Sequence, residues 1–340
     1  MTDIDTSATP GTGVPDTMTA WRQRRYGGPE ALSAETVPLP APGKGEVLLR
    51  VEATSLNAAD VHVLRGDPLL LRLFFGIRRP RVAGRGMDVA GTVVALGTEV
   101  DGVAVGDDVV GQLPGGGLAE YAIAPVKQLV LRPAGVSAVD AAALPIAAGT
   151  AWQALELIAG DARRSLVIGA SGGVGTFTVQ LAADRGAEVW ALCGERNREL
   201  VTELGAAETF DYRHVQPGSP ELASDRFDAV IDIAGTAPLR ALRRLVRRGG
   251  TVVLVSGEGG RVFGPIGRML RAAALAIGSS RRIRPLAATA KPVVLRELVD
   301  LVAAGRLRPV IERTYSLDEA REALAHVDGG HTVGKVVVRP

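Results

Sequence analysis

Cysteine is all but missing from this 340-residue chain, where Cys193 stands alone. A single thiol closes no intramolecular disulfide and builds no zinc site by itself, so a reducing compartment is expected, with the cytoplasm as the default. Net charge is nearly absent as well: +2 at pH 7 is too weak a field to argue for nucleic acid. The arginines at Arg72, Arg78, Arg79 and Arg81, and at Arg281, Arg282 and Arg284, read either as solvated loops or as anion contacts. Aromatic residues make up only 4%, and Trp21, Trp152 and Trp190 are too dispersed for a recognition strip. No apolar run approaches the roughly 18 residues that span a bilayer, so no membrane partner is expected. Residues 1–17 lack the basic and apolar regions of a secretory signal and read as a disordered tail.

What the chain has is glycine, 42 residues of it, in a composition that is 46% hydrophobic and 22% charged. That describes a well-buried globule, and the length suits two domains. From Met18 to about Leu144, short β-rich runs such as EVLLRVEATSLN and DVAGTVVALG alternate with Gly and Pro, the pattern of an antiparallel, partly barrel-like domain. From Pro145 the rhythm becomes βαβ. Strand candidates begin at Ser165, Glu188, Ala207, Phe227, Thr251 and, in ALAIGSS, at Ala274. Six such strands with right-handed crossovers make an α/β, Rossmann-type, doubly wound parallel sheet over residues 145–280. The β-rich domain then takes 18–144 and 281–340, closing with a helix from Lys291, another capped by Ser316 or Asp318, and a final strand in TVGKVVV.

Between the first strand and its helix lies VIGASGGVG, a stretch with almost no side-chain chemistry. Small residues let the backbone turn sharply and approach a bulky ligand, while the helix aims its free N–H groups at it, which together suit a pyrophosphate. The cradle is Ala170, Ser171, Gly172, Gly173, Val174 and Gly175, with Ala170 replacing the first glycine of G-x-G-x-x-G. A plain tight turn is the competing reading. Past the second strand, Glu195 stands where an acid would bind the ribose 2′-hydroxyl of NADH, beside Arg196, which suits the 2′-phosphate of NADPH. NADPH is the preferred reading and NADH the weaker alternative.

The order of blocks SLNAADVHVLRG, GMDVAGTVVALGTEV, AAALPIAAGTAWQAL, VIGASGGVG, LGAAETFDYR and GGHTVGKVVV resembles the medium-chain dehydrogenase/reductases, in their zinc-independent quinone oxidoreductase branch. The resemblance runs from Met18 to Arg339 and implies a GroES-like catalytic domain. Zinc members place a ligand cysteine where this chain has Asn57, and a Gly-His-Glu where it has Gly86, Met87 and Asp88. Amide and thioether are poor zinc ligands, and no metal is expected. Asn57 then resembles the polar residue beside the nicotinamide, one that also orients a substrate carbonyl. His62 replaces a tyrosine common in the branch and is read either as proton donor or as pocket lining, and Asp60 as a structural partner.

By the same resemblance Thr150 meets the nicotinamide end, Tyr212 flanks the adenosine 2′-phosphate, and Lys335 is the basic residue close to the nicotinamide, its plainer reading being an edge-strand lysine. Ala234, Gly235, Val255, Ser256 and Gly257 follow the fourth and fifth strands, where a doubly wound sheet binds its ligand. The expected activity is hydride transfer from NADPH to a small-molecule quinone or α,β-unsaturated carbonyl, and the implied assembly is a homodimer. A carbonyl or alcohol oxidoreductase is one alternative, and a dinucleotide-binding sensor or structural protein without turnover is the other.

Overall fold

The computed structural model describes residues 14–158, 160, 162–255 and 266–340. Strands β1 (Thr17–Gln23) and β2 (Leu32–Pro38) pair with each other. Thr17 is therefore already strand and Asp16 O accepts from Leu39 N–H at 2.9 Å, so an irregular tail reaching residue 17 is too long; residues 1–13 lie outside the described residues. The chain continues through β3 (Glu46–Leu56), β4 (Asp88–Leu96), β5 (Asp108–Gln112), β6 (Tyr121–Pro125) and β7 (Leu129–Leu131). It then lays down β8 (Arg164–Ile168), β9 (Glu188–Cys193), β10 (Ala206–Asp211), β11 (Phe227–Asp232), β12 (Val246–Leu254) and β13 (Arg282–Pro285), and ends in β14 (Ile311–Ser316) and β15 (Lys335–Arg339).

Strands β8 to β13 form one sheet, parallel throughout, in the order β10-β9-β8-β11-β12-β13. The strand order reverses between β8 and β11, and the crevice outside their carboxyl ends is where such a sheet takes a ligand. Alternation along β8 explains why it is buried on both faces: Leu166 and Ile168 join one apolar cluster with Trp190, Val230 and Val252, while Val167 joins another with Phe177, Ala191 and Ile231. Each such side chain contributes roughly 1.5–3 kcal/mol on burial.

The sixth strand is not where the apolar run ALAIGSS suggested. Ala274 to Ala276 end a helix, Ile266–Ala276, and the strand is Arg282–Pro285. A short apolar run does not distinguish strand from helix, and the three consecutive alanines at 272–274 tip this one toward helix. Because β13 pairs with β12, the boundary expected at 280/281 falls inside the parallel sheet.

The seven remaining strands run β14-β15-β3-β4-β5-β7, with β6 also against β3. The helix Pro292–Ala303 begins after Lys291 as expected, and Ala320–Asp328 follows a turn in which Ser316 N–H donates to Glu319 Oε2 at 2.9 Å. Cys193 packs at the end of β9, and burial pushes its thiol up to about 11, which makes it a poor nucleophile. Among the described residues no helix is long and apolar enough to cross a membrane.

Candidate active site

Register in the seven-stranded sheet brings three polar residues to one end of three adjacent strands. Ser55 of β3 pairs with Asp88 of β4, and Leu56 pairs with Val336 of β15, so Asn57, Asp88 and Lys335 converge. Asn57 Nδ2 donates to Asp88 Oδ2 at 2.9 Å, and Asn57 Oδ1 accepts from Lys335 Nζ at 2.5 Å. Lys335 Nζ also donates to Leu56 O at 2.9 Å. Asp88 takes two further donors, Ser55 Oγ at 3.3 Å and the Ile146 N–H at 3.2 Å, the latter from the domain junction. Desolvation dominates the electrostatics: burial pushes Asp88 up to about 7, against the pull of Lys335 and Asn57, and pushes Lys335 below the usual lysine range. The edge-lysine reading of Lys335 fails, because β15 lies between β14 and β3 and the residue is 3% exposed.

Both ends of the Asn57 amide are thus taken up by protein groups. Its second amide hydrogen faces Ser55 O at 3.5 Å, so its free capacity is a lone pair on Oδ1. That lone pair suits a ligand N–H or O–H and not a substrate carbonyl, which needs a donor. Asp60 is fully buried and accepts from the Asn57 N–H at 3.0 Å and the Gly86 N–H at 2.8 Å, fixing the start of the helix Ala58–Arg65. It is the structural partner expected.

The same helix also borders a cleft of about 370 Å³. His62 and Thr150 line it, with Val63, Leu71, Phe75, Met87 and Ile146 supplying apolar wall. His62 Nδ1 lies 2.9 Å from Asp67 O, and because a carbonyl only accepts, the hydrogen sits on Nδ1. Nε2 is left for the cleft side. The far wall is held by Gln153, 6% exposed, whose amide both donates to Thr289 O (2.9 Å) and accepts from Thr289 N–H (3.2 Å).

The glycine loop joins β8 to the helix Gly173–Asp184. Gly169 turns at φ +86°, and a Cβ on Gly175 would lie 2.1 Å from Gly169 O, so no larger residue fits where the helix closes on the turn. Ala170 is fully buried and gives its N–H to Leu192 O at 3.0 Å, which makes it part of the turn's inner wall instead of an amide offered to a ligand. The first helical bond runs from Thr176 N–H to Gly172 O, leaving the amides of Gly173, Val174 and Gly175 without intrahelical partners. The loop also meets the last strand: Gly334 N–H donates to Ser171 O at 2.9 Å, and a Cβ on Gly173 would lie 3.2 Å from Gly334 O and from Lys335 Cδ.

Past β9, Glu195 is held by Arg198 at 3.2 Å, and Arg196 is exposed, its Nη2 3.4 Å from His331 O. The half-exposed Tyr212 ring lies beside Gly194 and within 5.8 Å of the Arg213 guanidinium, and Asn197 Nδ2 donates to Ser171 Oγ at 3.2 Å. After β11, the Ala234 N–H reaches Ile168 O at 3.3 Å and the Gly235 N–H reaches Asp232 Oδ1 at 3.0 Å. Val255 N–H donates to Asp232 O at 3.0 Å. Asp232 is fully buried and paired with Arg268 at 2.5 Å. Ser256 and Gly257 lie outside the described residues.

Two family models match the chain, one described as alcohol dehydrogenase GroES-like domain over residues 43–134 and one as zinc-binding dehydrogenase over residues 204–338. A chloroplastic quinone oxidoreductase of Triphysaria versicolor is 38% identical over 92% of this chain and 95% of its own length. The 2-methylene-furan-3-one reductase of Solanum lycopersicum is 31% identical over 96% and 80%. The solved quinone oxidoreductase of Coxiella burnetii superposes with a TM-score of 0.82 at 28% identity, covering 95% of this chain and 99% of that one. The chain belongs to the quinone-oxidoreductase-like branch of the medium-chain dehydrogenase/reductases.

Within this member of the branch, the residues that sequence reasoning left unassigned are those that hold others in place. Asp88 was read only as a failed zinc position, yet it orients Asn57. Gln153, Asn197, Arg213 and Arg268 carried no local signal, because each acts on a partner distant in sequence or lies in an ordinary helix or turn. Among the described residues no group of three or more His, Cys, Asp or Glu side chains is arranged to hold a metal ion.

Proposed function

We propose that the protein is a zinc-independent oxidoreductase that uses NADPH to reduce a small quinone or α,β-unsaturated carbonyl compound. The observation that carries this reading is the coupling of the glycine loop to the Asn57–Asp88–Lys335 cluster through Gly334, one residue from Lys335. A pure nucleotide binder needs the loop alone. The tight turn that only glycine allows at 175 leaves the amides of Gly173, Val174 and Gly175 at the helix start, which suits a pyrophosphate. The exposed Arg196, with Arg213 and Tyr212 nearby and Glu195 occupied by Arg198, favours a 2′-phosphate over a bare hydroxyl. When bound, the nicotinamide supplies a hydride.

The chain supplies position and a proton. Asn57 Oδ1, held by Lys335, accepts from a carboxamide or hydroxyl of the ligand, while the apolar cleft wall seats a flat, electron-poor acceptor. On the cleft, Thr150 offers a hydroxyl and His62 the ring nitrogen Nε2. With Nδ1–H committed to Asp67 O, His62 takes up a proton from water at Nε2 and passes that proton to the oxygen that gains charge, returning to the neutral ring. Amide and thioether at Asn57 and Met87 support a mechanism without zinc. β13 forms one edge of the parallel sheet and supports a homodimer closed through that edge; the lone, buried thiol fits a cytoplasmic setting.

Mixing the protein with NADPH and a small water-soluble quinone or enone, then following the nicotinamide absorbance, tests the reading. Turnover is expected. Tight NADPH binding with no turnover across quinones, enones and aldehydes would leave a dinucleotide sensor as the better account.

A further inference from the structure

The mouth of the cleft carries a surface that the reaction does not use. The helix Leu71–Phe75 turns Leu71 and Phe75 toward the cleft, but leaves Leu73 57% and Phe74 69% exposed, and Ile77 just beyond it is 68% exposed. Soluble proteins seldom gather large apolar side chains this way without a partner. The charge along the segment is of one sign: residues 68–82 hold four arginines and no Asp or Glu, in a chain whose total is only +2. Arg78, Arg79 and Arg81 are exposed, and among the described residues none of the three is in an ion pair.

The segment is also pinned in shape. The Arg72 guanidinium lies 4.4 Å over the Tyr26 ring, Arg72 Nε donates to Gly66 O at 3.0 Å, and Tyr26 Oη donates to Gly76 O. Arg81 N–H donates to Phe75 O at 2.7 Å. These contacts hold Leu73, Phe74 and Ile77 outward in place of a collapse into the cleft. We infer that residues 69–82 form a docking lip for the surface of an anionic lipid bilayer, with Leu73, Phe74 and Ile77 entering the acyl boundary and Arg78, Arg79 and Arg81 meeting the headgroup phosphates. Apolar side chains interleaved with arginine are the chemistry that such an interface selects. The lip opens beside the cleft, so a lipid-dissolved acceptor would have a short path inward. Docking itself does not depend on which acceptor the cleft takes.

Cosedimentation of the full chain with vesicles tests this. With phosphatidylglycerol at about 30% in phosphatidylcholine, partitioning should exceed that onto pure phosphatidylcholine by about tenfold or more, and ~0.5 M salt should remove most of it. Two triple variants, Leu73→Ser/Phe74→Ser/Ile77→Ser and Arg78→Gln/Arg79→Gln/Arg81→Gln, should each lose about tenfold in partitioning. Both should keep the far-ultraviolet circular dichroism of the parent and, without vesicles, its turnover of a water-soluble quinone within about twofold.

Equal partitioning onto neutral and anionic vesicles, or variants that bind like the parent, would overturn the lip. So would a self-association abolished by the apolar triple variant, which would give the patch to a second copy of the chain. A raised KM for a water-soluble quinone with no vesicle binding would give it to the substrate instead. If the parent turns over no acceptor but still sediments with anionic vesicles in this pattern, the reductase reading fails and the lip stands.

Discussion

Lys335 and Asp88 face each other across 4.0 Å in the interior, 3% and 0% exposed. Their attraction is opposed by desolvation of both, so the carboxyl is pushed up to about 7 in the folded chain, against about 3.9 when unfolded. The folded state therefore binds the Asp88 proton more tightly. The stability this contributes is fully present below about pH 4 and is lost as pH rises through about 7, by up to about 4 kcal/mol. In Asp88→Asn this part of the slope should vanish, which urea unfolding of parent and variant across that window will show.

Orientation of Asn57 depends on the same carboxylate. Asp88→Ala removes the acceptor of Asn57 Nδ2 and should lower kcat about tenfold or more with less effect on NADPH affinity. Asp88→Asn, which keeps an acceptor oxygen, should recover part of that loss. Steady-state kinetics with NADPH and one quinone checks both.

Gly175→Ala places a Cβ 2.1 Å from Gly169 O, a contact the turn relieves only by moving. A destabilisation of about 1–3 kcal/mol is expected, with NADPH affinity down at least about tenfold because the cradle amides move with the turn. Thermal unfolding and calorimetric titration separate the two losses.

Arg196→Ala should weaken NADPH by about tenfold to thirtyfold and NADH by less than about twofold, the difference being the lost charge-assisted contact with a 2′-phosphate. Equal losses for both coenzymes, in parallel fluorescence titrations, would remove Arg196 from the phosphate site. Arg198→Ala releases Glu195 and should shift preference toward NADH.

Gln153→Leu removes both bonds to Thr289 and frees one wall of the cleft. Quinone KM should rise several-fold, with kcat little changed and about 1–2 kcal/mol lost from stability. Kinetics at saturating NADPH, paired with denaturant unfolding, is the measurement.

Much of this was legible from short-range pattern. Apolar runs of strand length followed by Gly-rich turns located β8, β9, β11 and β12, because a strand buried on both faces has little freedom of composition. The loop was legible because only glycine fits at 175. The sixth strand was misplaced because an alanine-rich run satisfies either period, and the polar, arginine-bearing β13 carries no apolar signature. Asp88 and Gln153 escaped for another reason: their partners Asn57 and Thr289 are brought to them by sheet register and domain packing, which no local window contains. Lys335 was picked out by resemblance alone, and only the strand order puts it in the interior.

The hydrogen bond from Gly334 to Ser171 fastens the floor of one lobe to the last strand of the other. A displacement of the glycine turn would therefore be passed along this bond to the backbone adjoining Lys335, and through the Lys335 ammonium to Asn57.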